Sequence, residues 1–218
     1  MGDAQKFEHT CLNTHSDDFG SALGHGGGYR QVYYKTATML FNLQYVLGDE
    51  LFRKAMQNYF STWRLAHPYF NDFRNSIIQY TKVDLNWFFD QWYFEAGHPM
   101  VEVSYSYDEA TKKIKVLVEQ IQNPQRQPAI FQMPVAIDIY TKDGKKERKE
   151  VMVNQRTQTF NFAVNEEPAL INFDADRMIL GIAQDNKTEE NYIFQYQHAP
   201  KFMDRIEAVE YLKESVSK

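Results

Sequence analysis

Histidine and cysteine are the residue types here that could bind a transition metal, so their spacing comes first. Zinc peptidases commonly place two histidines four residues apart on one helix, with a glutamate between them, as HExxH. None of the six histidines of this 218-residue chain stands in that pattern. His9, Cys11 and His15 are near one another, but their spacing matches no common zinc site. We therefore expect no metal site within this chain.

Patterns for nucleophilic catalysis or phosphate binding are also missing from the sequence. It contains no Gly-x-Ser-x-Gly elbow, and no neighbour of Cys11 is suited to activate its thiol. The glycine-rich run at residues 24–28 lacks the Lys-Ser/Thr ending of a phosphate loop, so it is interpreted as a flexible turn. The carboxylate pairs Glu166-Glu167 and Glu189-Glu190 are typical of solvated turns and helix starts.

Tyr33 and Tyr34 follow the glycine run and open the first helical pattern. A phenol at the start of a helix could line a cleft and donate a hydrogen bond there. The chain has 14 tyrosines, however, and spacing alone does not distinguish this pair from the others. On pattern alone, Tyr33 is one candidate among many.

Residues from about 31 to 96 have the apolar spacing of four helices, which would position these side chains. The first helix is apolar nearly all round, which is typical of a buried helix. The aromatic-rich stretch Trp87 to Phe94 is interpreted as core rather than as a substrate cradle. The signals for helix ends are Gly48 with Asp49, His67-Pro68, Asn71-Asp72, Asp84, and Gly97 with Pro99.

The apolar period changes to two near residue 101, where Val101 and Val103 alternate with polar residues. Similar short runs follow up to Phe173, and Asp143-Gly144 is a strong hairpin signal. Six or seven short strands separated by turns predict an antiparallel sandwich.

Helical spacing returns near Thr188 and is interrupted at Pro200. Tyr192, Ile193 and Tyr196 are expected on one side of the first of these helices. Phe202, Ile206, Val209 and Leu212 mark a second helix. We therefore predict an irregular arm at 1–28, a helical region at 29–98, a β-sandwich at 99–185 and a further helical region at 186–218.

Composition bounds the possible functions. Hydrophobic residues make up 43% of the chain and aromatic residues 15%, which favours a folded protein over a disordered one. The formal net charge of -5 argues against a general nucleic-acid surface, which requires a basic face. No apolar run approaches the roughly 20 residues of a membrane helix, and the residues after Met1 lack the apolar core of a signal peptide. Cys11 is the single cysteine, so no intramolecular disulfide is expected, and the sequence assigns no compartment.

The segment around Tyr33 resembles a known family. Residues 32–37 read Val-Tyr-Tyr-Lys-Thr-Ala, and residues 48–52 read Gly-Asp-Glu-Leu-Phe. They resemble the Tyr-x-Lys-Gly motif, long helix and Gly-Asp-x-x-Phe turn of the aminopeptidase N family, which also contains the leukotriene hydrolases. Thr36 stands where that family has glycine. Further matching positions are Asp72-Phe73, Asp84-Leu85, Phe89, Trp92, Gly97-His98-Pro99 and the stretch from Pro200 to Leu212.

The resemblance implies an α+β multidomain fold: the α-helical part of a thermolysin-like catalytic domain, an antiparallel β-sandwich, and the first helices of an α-helical C-terminal domain. It also implies a parent enzyme that binds one Zn²⁺ through two His and one Glu and hydrolyses peptide substrates. Those ligands have no counterpart in this chain, so we expect them in a missing N-terminal part of the same polypeptide. The isolated chain is then expected to hold no cofactor and to be inactive.

Tyr33 matches the family's catalytic tyrosine, and the resemblance gives it the role of stabilising the oxyanion formed when a zinc-bound water attacks the substrate carbonyl. The alternatives are a non-catalytic protein-binding scaffold of the same fold and a sugar- or ligand-binding sandwich. An HExxH motif in the parent would favour the enzyme, and a degenerate motif the scaffold.

Overall fold

The computed structural model describes residue 33, residues 35–125 and residues 127–216. They divide into two compact units. The first unit contains the described residues up to His98 together with those of Asn123–Pro128. The second contains Pro99–Gln122 and the described residues from Ala129 onwards. No helix in these described ranges is both long and apolar enough to cross a bilayer.

The first unit is helical, as its spacing predicts. Its core is formed by fully buried apolar and aromatic side chains, among them Leu43, Ile77, Phe88 and Trp92. The stretch Trp87 to Phe94 therefore contributes to the core, as expected. The helices are α1 (Thr36–Leu47), α2 (Asp49–Thr62), α3 (Phe70–Thr81) and α4 (Asn86–Phe89), and α4 continues into a π-helical turn (Asp90–Phe94).

Gly48 separates α1 from α2, as predicted, with a positive φ of 74°. The predicted end of α2 near His67 is wrong, because the helix ends at Thr62. Leu65 has a left-handed backbone, with a φ of 61°, which does not continue an α-helix. The Trp63 indole N–H also donates to Ser76 Oγ at 3.0 Å and ties this end to α3.

Helix α1 is not buried on all sides within the described residues, contrary to its pattern. Met39, Asn42 and Leu43 are buried, whereas Phe41 is 57% exposed. The described neighbours of α1 therefore cover one face of the helix, and its opposite face is open. An apolar composition alone does not distinguish a helix buried on all sides from one that is covered on a single face.

The second unit is the predicted sandwich. Its described residues form seven strands, β1 (Met100–Asp108), β2 (Lys113–Gln120), β3 (Met133–Tyr140), β4 (Lys146–Val153), β5 (Thr157–Ala163), β6 (Leu170–Phe173) and β7 (Ile182–Asp185). One sheet has the order β5-β2-β1-β7 and the other β4-β3-β6. The pairs are antiparallel, as expected, except that β7 runs parallel to β1. The Asp143-Gly144 turn joins β3 to β4, with Tyr140 paired to Lys146.

The sandwich core follows from the alternation of its strands. Ile114, Val116 and Val118 of β2 are fully buried, whereas the residues between them, Lys115 and Leu117, are exposed and half-buried and face away from the core. Strand β3 is buried on both faces along most of its length and includes the buried carboxylate of Asp138. On the face that carries Asp138 and Tyr140, ion pairs from β4 and an edge-on contact with Phe194 contribute to this burial.

Two helices, α5 (Glu189–His198) and α6 (Phe202–Val216), complete the second unit. The predicted apolar faces of the two helices are only partly correct, since Tyr192 is buried as expected but several of the other predicted residues are not. Ile193 and Tyr196 are 42% and 51% exposed, whereas Gln195 is fully buried. In α6, Phe202 is 66% exposed, whereas Asp204 is fully buried. These buried polar side chains have hydrogen-bond partners: Asp204 bonds to Asn172 of the sandwich, and Gln195 bonds to α6, as described below.

Candidate active-site turn

Tyr33 lies on the turn that leads into α1. Tyr33 and Lys35 have π-helical backbone, and regular α-helix begins at Thr36. The Tyr33 side chain is 56% exposed on the surface of the described residues. Part of this side chain is therefore accessible from the surface at the start of α1.

The buried face of α1 fixes the helix behind this turn. Met39 and Leu43 lie four residues apart and are both buried, which places them on the same side of the helix. Asn42 is buried beside them. The Thr38 hydroxyl donates to the Lys35 carbonyl at 3.0 Å and links the turn to the first residues of α1.

Lys35 connects the turn to a distant part of the first unit. Its ammonium donates to the carbonyl of Gly97 at 3.2 Å, in the segment that follows the π-helical turn. Gly97 has a φ of 89°, and the next N–H, that of His98, donates to Gln127 Oε1 at 3.0 Å. The glycine carbonyl and the following amide are thus each held by a side chain.

Aromatic rings also pack between the other helices of the first unit. Phe70 and Phe73 of α3 both contact the ring of Phe89 edge-on, at centroid distances of 5.7 and 6.1 Å. Tyr59 of α2 contacts Phe73 in the same way at 5.0 Å. Such edge-to-face pairs stabilise the packing of the helices beyond what the burial of apolar surface contributes.

Within the ranges that the structure describes, no three His, Cys, Asp or Glu side chains form a group that could hold a metal ion. His9, Cys11 and His15 lie outside the described residues, as does the glycine run at 24–28. The described residues therefore do not supply the set of ligands that would hold the zinc ion implied by the family resemblance.

A polar network that sequence reasoning missed lies in the second unit. Arg177 binds both Asp204 and Glu207 of α6, at 2.6 and 2.5 Å. Asn172 of β6 donates to Asp204 Oδ2 at 3.2 Å, and the Gln195 amide donates to Glu207 Oε2 at 2.9 Å. These bonds explain why Gln195 and Asp204 are buried. No spacing rule could have found them, because their partners come from three separate elements.

Two other buried carboxylates in this unit have shifted pKa values. Burial raises the pKa of Asp174 to about 6, although N–H groups of Met178 and Ile179 donate to its carboxylate and oppose the shift. Burial also opposes ionisation of Asp138, but hydrogen bonds from Arg148 and Lys146 outweigh it and lower the pKa of that carboxyl. Both groups bond within the sandwich and are interpreted as structural.

Comparison with known proteins identifies related segments. Residues 29–92 match the Peptidase family M1 domain, and residues 97–175 match a domain of unknown function with an Ig-like fold. Aminopeptidase N of Escherichia coli is 30% identical over 52% of this chain and 13% of its own length. Aminopeptidase N of Haemophilus influenzae is 27% identical over 60% of this chain and 16% of its own length.

The fold also has a solved counterpart. A crystal structure of Legionella pneumophila aminopeptidase A in complex with aspartic acid matches 83% of this chain and 21% of that protein, with a TM-score of 0.71. At 20% sequence identity, this likeness supports the fold alone. The chain thus spans a small part of the length of each of these relatives.

Proposed function

Because the chain belongs to the aminopeptidase-N-like part of peptidase family M1, we propose that its whole protein is a zinc aminopeptidase that removes N-terminal residues from peptides, with Tyr33 as a catalytic residue. The observation that carries this proposal is the match of residues 29–92 to the M1 domain, since that segment contains Tyr33 and the helices behind it. The relatives named aminopeptidase N support the reaction class.

The proposed role of Tyr33 follows from the chemistry of a phenol. When water adds to a scissile carbonyl, the carbonyl oxygen gains negative charge that the ground state lacks. A phenol hydroxyl keeps its proton at neutral pH and donates a hydrogen bond to that oxygen. A donor aimed at charge that appears only in the transition state lowers the barrier to reaction. The exposure of Tyr33 at the start of α1 is compatible with this use.

Activation of the water falls outside the described residues, which form no metal cluster. In the proposal, zinc in the whole protein would supply that activation. The 218-residue chain by itself is expected to be inactive, because an oxyanion forms only where an activated water attacks the carbonyl.

The test is Tyr33→Phe in the full-length protein, assayed with an aminoacyl fluorophore. We expect kcat to fall on the order of 10² to 10³-fold, as is typical when one oxyanion donor is removed, with a much smaller change in KM. Tyr80→Phe is the matched control, because Tyr80 is a partly exposed tyrosine of the same unit, and we expect its activity to be unchanged. Near-normal turnover by Tyr33→Phe would contradict the role of Tyr33. A full-length protein without aminopeptidase activity would favour the scaffold alternative.

A further inference from the structure

The contact between Lys35 and Gly97 joins two segments that are 62 residues apart. One is the turn that carries Tyr33, and the other is the exit of the π-helical turn. The donor is an ammonium, which forms a stronger hydrogen bond to a carbonyl than a neutral donor does. The contact is partly buried, so water competes with it less than at an exposed site.

The acceptor side of this contact is restrained by its own backbone conformation and by Gln127. The positive φ of Gly97 favours glycine, and a Cβ added there would lie 1.9 Å from Gln127 Oε1. Gln127 Oε1 also accepts the N–H of His98. Because Gly97 is held from this side, its carbonyl offers Lys35 a fixed anchor.

Tyr33 lies at the end of a helix, where such an anchor has the most effect. Among the described residues, no side chain caps the first N–H groups of α1, and helix ends fray more readily than helix interiors. The buried residues of α1 begin at Met39, more than one turn beyond Tyr33. Lys35 lies two residues from Tyr33 and attaches this end of the helix to the body of the unit.

We propose that Lys35 is a positioning residue for the proposed reaction, which holds Tyr33 in place through its bond to the Gly97 carbonyl. This inference rests on the proposed function of Tyr33. A misplacement of a catalytic group by about 1 Å can cost on the order of 10²-fold in rate. Loosening the turn should therefore reduce transition-state stabilisation by the Tyr33 hydroxyl, with little effect on substrate binding.

The first experiment uses Lys35→Met in the full-length protein. We expect kcat to fall by about 10-fold or more and KM to change by less than about 3-fold. Lys35→Arg keeps a charged donor of similar reach and should recover most of the lost kcat. Lys54→Met is the matched control, since Lys54 forms an exposed pair with Glu50 in α2, and its kcat should be unchanged. A Lys35→Met enzyme with normal kcat, or a Lys35→Arg enzyme as impaired as Lys35→Met, would overturn the inference.

A double-mutant cycle separates positioning from general loss of structure. If Lys35 acts through Tyr33, Lys35→Met should have little further effect on kcat in the Tyr33→Phe background. Equal effects in both backgrounds would contradict the inference. Should Lys35→Met fail to fold, Gly97→Ala perturbs the same bond from its other end and undergoes the same cycle. If Tyr33→Phe alone is fully active, the proposed function fails as well; if it is impaired but Lys35→Met is not, only the positioning role is wrong.

Discussion

At the scale of single residues, Asp174 shows how position overrides residue type. It follows β6, has a left-handed φ of 53°, and receives hydrogen bonds from the N–H groups of Met178 and Ile179. It is 6% exposed, and burial raises its pKa to about 6. The nearby charges of Arg177 and Asp176 act in opposite directions on this pKa. A folded chain therefore keeps this carboxyl protonated at a pH where an unfolded chain does not.

This shift predicts a pH dependence of stability. Between about pH 4 and pH 6 the unfolded chain releases the Asp174 proton and the folded chain retains it, so this group's contribution to the free energy of unfolding falls as pH rises. The fall amounts to up to about 3 kcal/mol for a shift of about two units. In Asp174→Asn this slope should be absent, and the difference from wild type should be constant above about pH 6.5.

Urea unfolding at half-unit steps from pH 4 to pH 8 measures this dependence. Glu167→Gln, at an exposed carboxylate on the turn before β6, is the control for a generic loss of negative charge, and it should keep the wild-type slope. A wild-type slope in Asp174→Asn would show that Asp174 titrates normally.

The sequence identifies some of these individual residues and not others. Tyr33 could be selected only through the resemblance, since 14 tyrosines share its chemistry. Asp174 could not be selected at all among 29 acidic residues, because its burial depends on a loop that folds back on the sandwich. The environment of Lys35 likewise depends on a distant segment. Its acceptor is the backbone carbonyl of Gly97, and no side-chain pattern in the sequence indicates such a contact.

At the scale of elements, local signals predicted ends better than faces. Gly48 ends α1 as expected, and Asp84 accepts the N–H of Asn86 at 3.0 Å at the start of α4. The π-helical turn at Asp90–Phe94 was missed, because its aromatic spacing also fits an α-helix. Strand β7 was missed as well: its residues are mostly exposed, and its partner β1 lies about 80 residues earlier.

The start of α5 allows a test of how an element is attached. Thr188 and Asn191 form a reciprocal cap: Asn191 Oδ1 accepts the Thr188 N–H at 2.9 Å, and Thr188 Oγ1 accepts the Asn191 N–H at 3.4 Å. The Asn191 amide also donates to the carbonyl of Ala169, just before β6, at 2.8 Å. Asn191 therefore both caps the helix and binds it to the sandwich.

We expect Thr188→Ala to lower the free energy of unfolding by about 1 kcal/mol, as for loss of a cap. Asn191→Ala should cost more, about 2–3 kcal/mol, because it also leaves the Ala169 carbonyl without this donor. Chemical denaturation measures both changes, with Asn165→Ala at an exposed turn position as the control. If Thr188→Ala costs as much as Asn191→Ala, the link to the sandwich contributes nothing.

At the scale of the whole molecule, the predicted order of helices, sandwich and terminal helices is confirmed. The spacing of apolar residues predicts that order, because it changes from a helical period to a period of two and back again. The assignment of α5 and α6 to the same compact unit as the sandwich did not follow from the sequence. Their attachment includes polar contacts of Asn172 and Arg177 with α6, together with an edge-on contact between Tyr140 of β3 and Phe194 of α5. Whether residues 186–218 also begin a further helical domain stays a prediction.

Arg177 is the centre of this attachment. The Asp204 carboxylate has no exposed surface, and Arg177 is its ion-pair partner among the described residues. Burial disfavours ionisation of Glu207, but Lys187 and Arg177 outweigh it and lower the pKa of that carboxyl. Removing Arg177 therefore leaves one fully buried and one partly buried carboxylate with less compensation.

We expect Arg177→Met to lower the stability of the second unit by about 3–5 kcal/mol, as is typical when one partner of a buried ion pair is removed. Because each unit has its own core, amide hydrogen exchange should accelerate in α6 and β6 and remain unchanged in α3 of the first unit. Lys149→Met, which removes an ion pair to Glu147 on β4, should change stability by less than about 1 kcal/mol. The double variant Arg177→Met/Asp204→Leu should recover much of the loss, because no buried carboxylate then remains at position 204. Equal acceleration of exchange in α3 and α6 would mean that the two compact units unfold as one.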